Sequence, residues 1–112
     1  MIQVSTHELD NATMLAITGD VDLYSSPRVR DALLALTDKK VKNIFIDLTN
    51  CPYMDSSGVA TLVEGLQQTG KYKGSLKIFG LVSAVKEVFE LSRLDKVFDI
   101  YPDQEQAMES LK

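Results

Sequence analysis

Cysteine is almost missing from this chain. Cys51 is the only one, so no internal disulfide can form and nothing points to an oxidising compartment. Histidine is as scarce. His7 stands alone, and one Cys and one His at unrelated positions cannot build a closed zinc site. Basic charge is not in excess either. The formal net charge is −4, and the 12 Lys and Arg are scattered apart from Lys39, Lys40 and Lys42, which read as a solvated helix end. Nucleic-acid binders carry a basic patch, so nucleic acid is not an expected partner. An acidic surface points weakly toward a basic protein partner. No apolar run is long enough to span a bilayer. The segment Met1-Ile2-Gln3-Val4-Ser5-Thr6-His7-Glu8 lacks the charged and apolar regions of a signal peptide. The expectation is a cytoplasmic protein with no membrane association.

The 112 residues are 45% hydrophobic and 25% charged, ordinary for a globular protein and enough for one real core. No repeat, linker or low-complexity segment divides them, so residues 1–112 are expected to form one domain. Ile2 and Val4, then Met14-Leu15-Ala16-Ile17-Thr18, predict two strands with Glu8-Leu9-Asp10-Asn11 as a hairpin turn. Ser25-Ser26-Pro27 predicts a helix start, with Ser26 as N-cap and Pro27 in the first helical position. Val29, Ala32, Leu33 and Leu36 carry that helix to Lys39-Lys40. Ile44-Phe45-Ile46-Asp47-Leu48 is a strand apolar enough to be covered on both faces. Val59, Leu62, Val63 and Leu66 predict a second helix ending about Gly70 as C-cap. A strand at 76–79 follows. Ser83 is expected to cap a third helix bearing Val85, Val88 and Phe89. Residues 97–101 form a short last strand, and Pro102-Asp103 open a final helix with Ala107, Met108 and Leu111 on one side. The order is β-β-α-β-α-β-α-β-α. It describes an α/β fold with a mixed, mostly parallel sheet of four to five strands and about four helices. Right-handed crossovers would bring Gly19-Asp20-Val21-Asp22 to the same sheet edge as Asp55-Ser56-Ser57, the edge where open α/β sheets bind ligands and partners.

One stretch, Cys51-Pro52-Tyr53-Met54-Asp55-Ser56-Ser57-Gly58, joins the apolar strand to the second helix. It places two hydroxyls and a carboxylate where a helix begins, at unpaired N–H groups and the positive end of the helix dipole. The plainest role is capping by Asp55 or Ser56, with Gly58 permitting close packing. A nucleophilic serine needs an adjacent base, usually a histidine, and the G-x-S-x-G elbow is absent. A phosphate-binding loop needs glycines and a Gly-Lys-Ser/Thr that this stretch lacks, and its carboxylates repel free phosphate. Nucleotide binding elsewhere on the rim stays open, because helix N-termini do bind anions. A covalent phosphate on Ser56 fits best. The helix N-terminus would tolerate it, while Asp55, Asp20 and Asp22 would make the surface strongly negative to a docking partner. Cys51 is expected to pack at the strand end. Tyr53 and Met54 either tuck beneath the helix or meet a partner. His7, Tyr72 and Lys73 are expected at the surface.

Met54-Asp55-Ser56-Ser57-Gly58 after an apolar strand resembles the signature of STAS domains, and more narrowly of bacterial anti-sigma factor antagonists. Gly19-Asp20-Val21-Asp22 is similar to that family's Gly-acidic-apolar-Asp segment. The run from Ser83 to Ser92 is similar to its third helix. The resemblance covers essentially the whole chain and implies partner switching. The unphosphorylated antagonist binds a switch-protein serine kinase that is also the anti-sigma factor, and the sigma factor is released. The kinase then phosphorylates the residue directly after the Asp, here Ser56, and a metal-dependent serine phosphatase reverses the step. The implied partner-binding residues are Asp20, Asp22, Asp55, Ser56, Ser57 and Gly58. ATP belongs to the kinase, so this chain is expected to be no enzyme, to hold no cofactor or metal, and to be a monomer when free. A second implied role is that of a STAS subunit or scaffold in a lipid-transport or stressosome complex, binding its partner without a phosphorylation switch.

Overall fold

The computed structural model describes all residues, Met1–Lys112. Its elements are β1 (Gln3–Leu9), β2 (Ala12–Thr18), α1 (Ser26–Asp38), β3 (Asn43–Asn50), α2 (Ser56–Lys71), β4 (Ser75–Phe79), α3 (Ser83–Leu91), a single 3-10 turn (Leu94–Lys96), β5 (Asp99–Tyr101) and α4 (Gln104–Glu109). The five strands form one sheet in chain order. β1 is antiparallel to β2, and all later neighbours are parallel. This is the expected mixed α/β architecture.

Strand alternation sorts the apolar residues onto two faces. Leu15 and Ile17 of β2, Ile44, Ile46 and Leu48 of β3, and Leu76 and Ile78 of β4 face the main core. There they meet Val29, Leu33 and Leu36 of α1, Val59 and Leu62 of α2, and Val85 and Phe89 of α3. The opposite face carries a smaller cluster of Ala12, Phe45, Phe79 and Ala107, so α4 covers it. Phe45 and Phe79 meet edge to face there, with centroids 6.4 Å apart. The continuous apolar run of β3 therefore reflects burial on both sides, but only as far as Phe45. Asp47 on that second face is half-buried and Thr49 is exposed.

Several element ends differ from expectation. β1 continues through Glu8 to Leu9, so the hairpin turn is only Asp10-Asn11, with Asn11 at φ 66°. Asparagine tolerates that left-handed backbone better than most residues. Helix α1 starts one residue early, with Ser25 at the N-cap position and Ser26 buried inside the first turn. No side chain caps the helix: the Ser26 N–H donates to the Asp22 main-chain carbonyl at 2.8 Å, while the Asp22 carboxylate accepts from the N–H groups of Tyr24 and Ser25 in the turn before it, both at 2.9 Å. Ser83 likewise lies inside α3. Val82, in extended conformation, occupies the cap position with no side-chain hydrogen bond, and its carbonyl accepts from the Lys86 N–H.

Gly70 is not a C-cap. α2 runs on to Lys71, Tyr72 takes the cap position and Lys73 adopts the left-handed conformation at φ 63°. Tyr72 is half-buried and not a free surface residue, and its hydroxyl donates to the Val41 carbonyl at 2.6 Å. The glycine this corner requires is Gly74, where a Cβ would stand 2.6 Å from the Tyr72 ring and 2.8 Å from the Lys42 carbonyl oxygen. The last strand is shortened to three residues because the 3-10 turn captures the N–H groups of Val97 and Phe98 on the Leu94 carbonyl. Val97 is left exposed, while Phe98 turns inward onto Phe89. No helix is long and apolar enough to cross a membrane.

Candidate functional site

The site is built where β2 and β3 leave the sheet. Their parallel register slips by one residue between Ala16, opposite Asp47, and Thr18, opposite Asn50, and Gly19 at φ 108° donates its N–H to the Asn50 carbonyl. The two chains then rejoin. The Val21 N–H donates to the Tyr53 carbonyl at 2.9 Å, and the Asp55 N–H donates to the Val21 carbonyl at 3.0 Å, forming an isolated parallel bridge between Val21 and Met54. Both bridge side chains are buried. Gly58 sits directly against them. A Cβ there would come 2.6 Å from Met54 Cγ and 2.7 Å from Val21 Cγ1, so glycine is demanded by packing and not by backbone conformation. The bridge fixes Asp20 and Asp22 on one loop beside Asp55 and Ser56 on the other, on the shared edge that the topology predicts.

Within the second loop the two serines differ. Asp55 is the N-cap of α2. Its Oδ1 accepts from the Ser57 N–H at 2.9 Å and from the Gly58 N–H at 3.4 Å. The Ser57 hydroxyl donates to the same oxygen at 2.5 Å. These bonds, the Ser57 hydroxyl foremost, hold the Asp55 carboxyl below its ordinary value of 3.8. Ser57 is half-buried and occupied. Ser56, the first residue of α2, is exposed, and its hydroxyl makes no hydrogen bond within the protein. The helix start is therefore satisfied without Ser56, which leaves its hydroxyl free at the positive end of a 16-residue helix.

The first loop is similarly bonded to itself. Besides the Tyr24 and Ser25 N–H groups, Asp22 Oδ1 faces the Ser25 hydroxyl at 3.1 Å. Ser25 Oγ also donates to the Asp20 carbonyl and accepts from the Asp22 N–H. The Ser25 N–H is the main cause of the lowered Asp22 carboxyl pKa, and the Asp55 charge nearby works in the opposite sense. Asp20 is exposed. The turn so held lifts Leu23 and Tyr24 into solvent, at 68% and 89% exposure. Neither was singled out from the sequence. The available signal was two large apolar residues between Asp22 and Ser25, in register with no helix or strand.

Tyr53 and Met54 part company. Met54 is buried under α2, and Tyr53 is 49% exposed beside Asp55. Cys51 is fully buried, its thiol pushed up by that burial and donating to the Tyr53 carbonyl at 3.2 Å. His7 pairs across the hairpin with Met14, near the start of β2, and bonds to Ser5. It is therefore at the far end of the sheet from Ser56 and cannot serve it as a base.

A single α/β domain with a five-stranded mixed sheet, and a helix start carrying Asp-Ser-Ser-Gly on its parallel edge, define a class of small α/β domains. The STAS domain family model matches residues 3–107, and the chain belongs to that family. Among similar proteins is the anti-sigma-B factor antagonist of Bacillus subtilis, 30% identical over 99 residues, which cover 88% of this chain and 90% of the relative. Among solved structures, an anti-sigma factor antagonist from Mycobacterium paratuberculosis superposes with a TM-score of 0.91 at 23% identity, over 98% of this chain and 93% of that one. The Bacillus cell fate determinant SpoIIAA in its phosphorylated form does so with a TM-score of 0.76 at 15% identity, over 98% of this chain and 100% of that one. At those identities the two structures speak for the fold alone.

Proposed function

We propose that this chain is an anti-sigma factor antagonist of the partner-switching kind. It binds an anti-sigma factor that is also a serine kinase, and the sigma factor is thereby freed. Phosphorylation of Ser56 ends the binding, and a metal-dependent serine phosphatase restores it. The observation that carries the reading is the contrast between the two serines: Ser57 is bonded to Asp55, while Ser56 is exposed and unbonded. A phosphate there would gain from the helix N-terminus and cost no internal contact. It would add roughly −1.5 to −2 charges to a rim that already holds Asp20, Asp22 and Asp55. The names of the curated relatives support the same reading. Asp20, Asp22, Asp55, Ser56, Ser57 and Gly58 are the proposed partner-facing or partner-shaping residues.

The test is incubation with ATP and each purified anti-sigma factor kinase of the organism that encodes the chain, followed by intact-mass analysis and peptide mapping. One phosphate on Ser56, absent from Ser56→Ala, is the expected result. No phosphate on the wild type, together with wild-type binding by Ser56→Ala and Ser56→Asp, would overturn the reading.

A further inference from the structure

Large apolar side chains held in water are unfavourable, and here three gather on one edge. Leu23 and Tyr24 are exposed on the first loop and Tyr53 is half-exposed on the second. The Val21–Met54 bridge puts them together. Leu23 follows Val21 by two residues, and Tyr53 directly precedes Met54 and accepts the Val21 N–H on its carbonyl. Chain flexibility does not explain this exposure. Asp22 Oδ1 ties down the N–H groups of Tyr24 and Ser25, and Ser25 Oγ locks the same turn to the Asp20 carbonyl. A rigid turn that presents an aromatic side chain loses little entropy on binding, and tyrosine in such a setting is a typical interface hot spot. The patch is edged by Asp20, Asp22 and Asp55. Arg28 is the one basic side chain lining the cleft beside Tyr24, which Asp20 and Asp22 also line.

We infer that Leu23, Tyr24 and Tyr53 are the apolar anchor by which this chain grips its partner. This rests on the proposed function and names what the partner must look like: the anti-sigma factor kinase presents an apolar depression rimmed by Lys or Arg. The apolar side chains supply the affinity, and the surrounding carboxylates choose a basic surface. Asp22 is then a positioning residue. Its carboxylate is engaged by its own turn, and its service to the partner is to hold Leu23 and Tyr24 in place.

The experiment measures binding of the full chain to the same purified kinases, with ADP, by titration calorimetry. It compares wild type with Leu23→Ser/Tyr24→Ser, Tyr53→Ser, Asp22→Asn and Asp22→Ala. The serine variants on either loop should each weaken binding by about 10-fold or more. Their melting temperatures should stay near wild type, because the side chains removed are already solvated. Asp22→Asn keeps an acceptor oxygen and should bind better than Asp22→Ala, which a pure charge effect would not produce. If the wild type binds a kinase and both sets of serine variants bind equally well, the anchor is refuted while the proposed function stands. If no kinase binds the wild type, the proposed function fails and the anchor with it.

Discussion

Ser57 donates its hydroxyl hydrogen to the Asp55 carboxylate that caps the same helix, and this one bond separates two adjacent serines into a structural residue and a free one. The separation sets the first expectation. Ser56→Ala and Ser56→Asp should melt within about 0.5 kcal/mol of wild type, as surface changes do. Ser57→Ala should lose about 1.5 kcal/mol, the lower end for a bond to a charged acceptor, because Asp55 is only half-buried. Urea unfolding of the three variants checks this. A larger loss for Ser56→Ala than for Ser57→Ala would reverse the assignment of roles.

Asp55→Ala removes the acceptor of two helix N–H groups and of the Ser57 hydroxyl. The expected cost is about 1–2 kcal/mol, at the upper end for an N-cap. Asp55→Asn, which retains a cap oxygen, should recover most of it in the same unfolding experiment.

Gly58→Ala forces a methyl against Met54 and Val21, both buried and both part of the bridge between the loops. Overpacking of this kind costs about 1–3 kcal/mol. Amide chemical shifts should move at Val21 and Asp55 as well as at Gly58, because the two bridging hydrogen bonds must adjust.

Acid should loosen the rim in a defined window. Asp22 and Asp55 both have carboxyl pKa values held below the ordinary 3.8, Asp22 chiefly by the Ser25 N–H and Asp55 chiefly by the Ser57 hydroxyl. A lowered folded-state value means that the stabilisation is fully present above about pH 5 and is lost as pH falls through the unfolded value and then the folded ones. Carboxyl titration by NMR should give midpoints below 3.8 for both groups. Asp55→Asn should flatten part of the stability loss in that range. Midpoints at or above the ordinary value would contradict the capping geometry.

Cys51 should be silent to thiol reagents in the folded protein. It is fully buried and its thiolate is disfavoured by that burial. Labelling should proceed only at the rate of unfolding and become rapid in denaturant. Fast labelling of the native chain would mean that the strand end opens locally.

The sheet order and the meeting of Asp22 with Asp55 were legible because they follow from chain order and crossover handedness, which depend little on side-chain detail. Element ends were harder, since the local signals were real but used elsewhere. Ser26 looks like a cap before Pro27, yet Asp22 reaches the turn first and Ser26 is buried. Gly70 looks like a helix stop, but the tight place is at Gly74, and it is tight because Tyr72 folds back to the Val41 carbonyl. Two serines in a row are equivalent on paper. Only the rotation of the first helical turn decides which one Asp55 can reach. Leu23 and Tyr24 went unmarked for a similar reason: exposure of an apolar residue in a turn is a property of the folded surface, and no periodicity announces it.

The bridge between Val21 and Met54 has a consequence for how any modifying enzyme must approach. It ties the loop that carries Ser56 to a strand end more than thirty residues away, through buried side chains and two main-chain hydrogen bonds. The Ser56 hydroxyl therefore cannot be drawn out as an extended peptide without breaking into the core. An enzyme that acts on it has to read a finished surface, with the helix already wound and the first loop already in place. A synthetic peptide spanning residues 50–62 should accordingly be a poor substrate for any kinase that modifies the folded chain, even though it contains every residue of the motif.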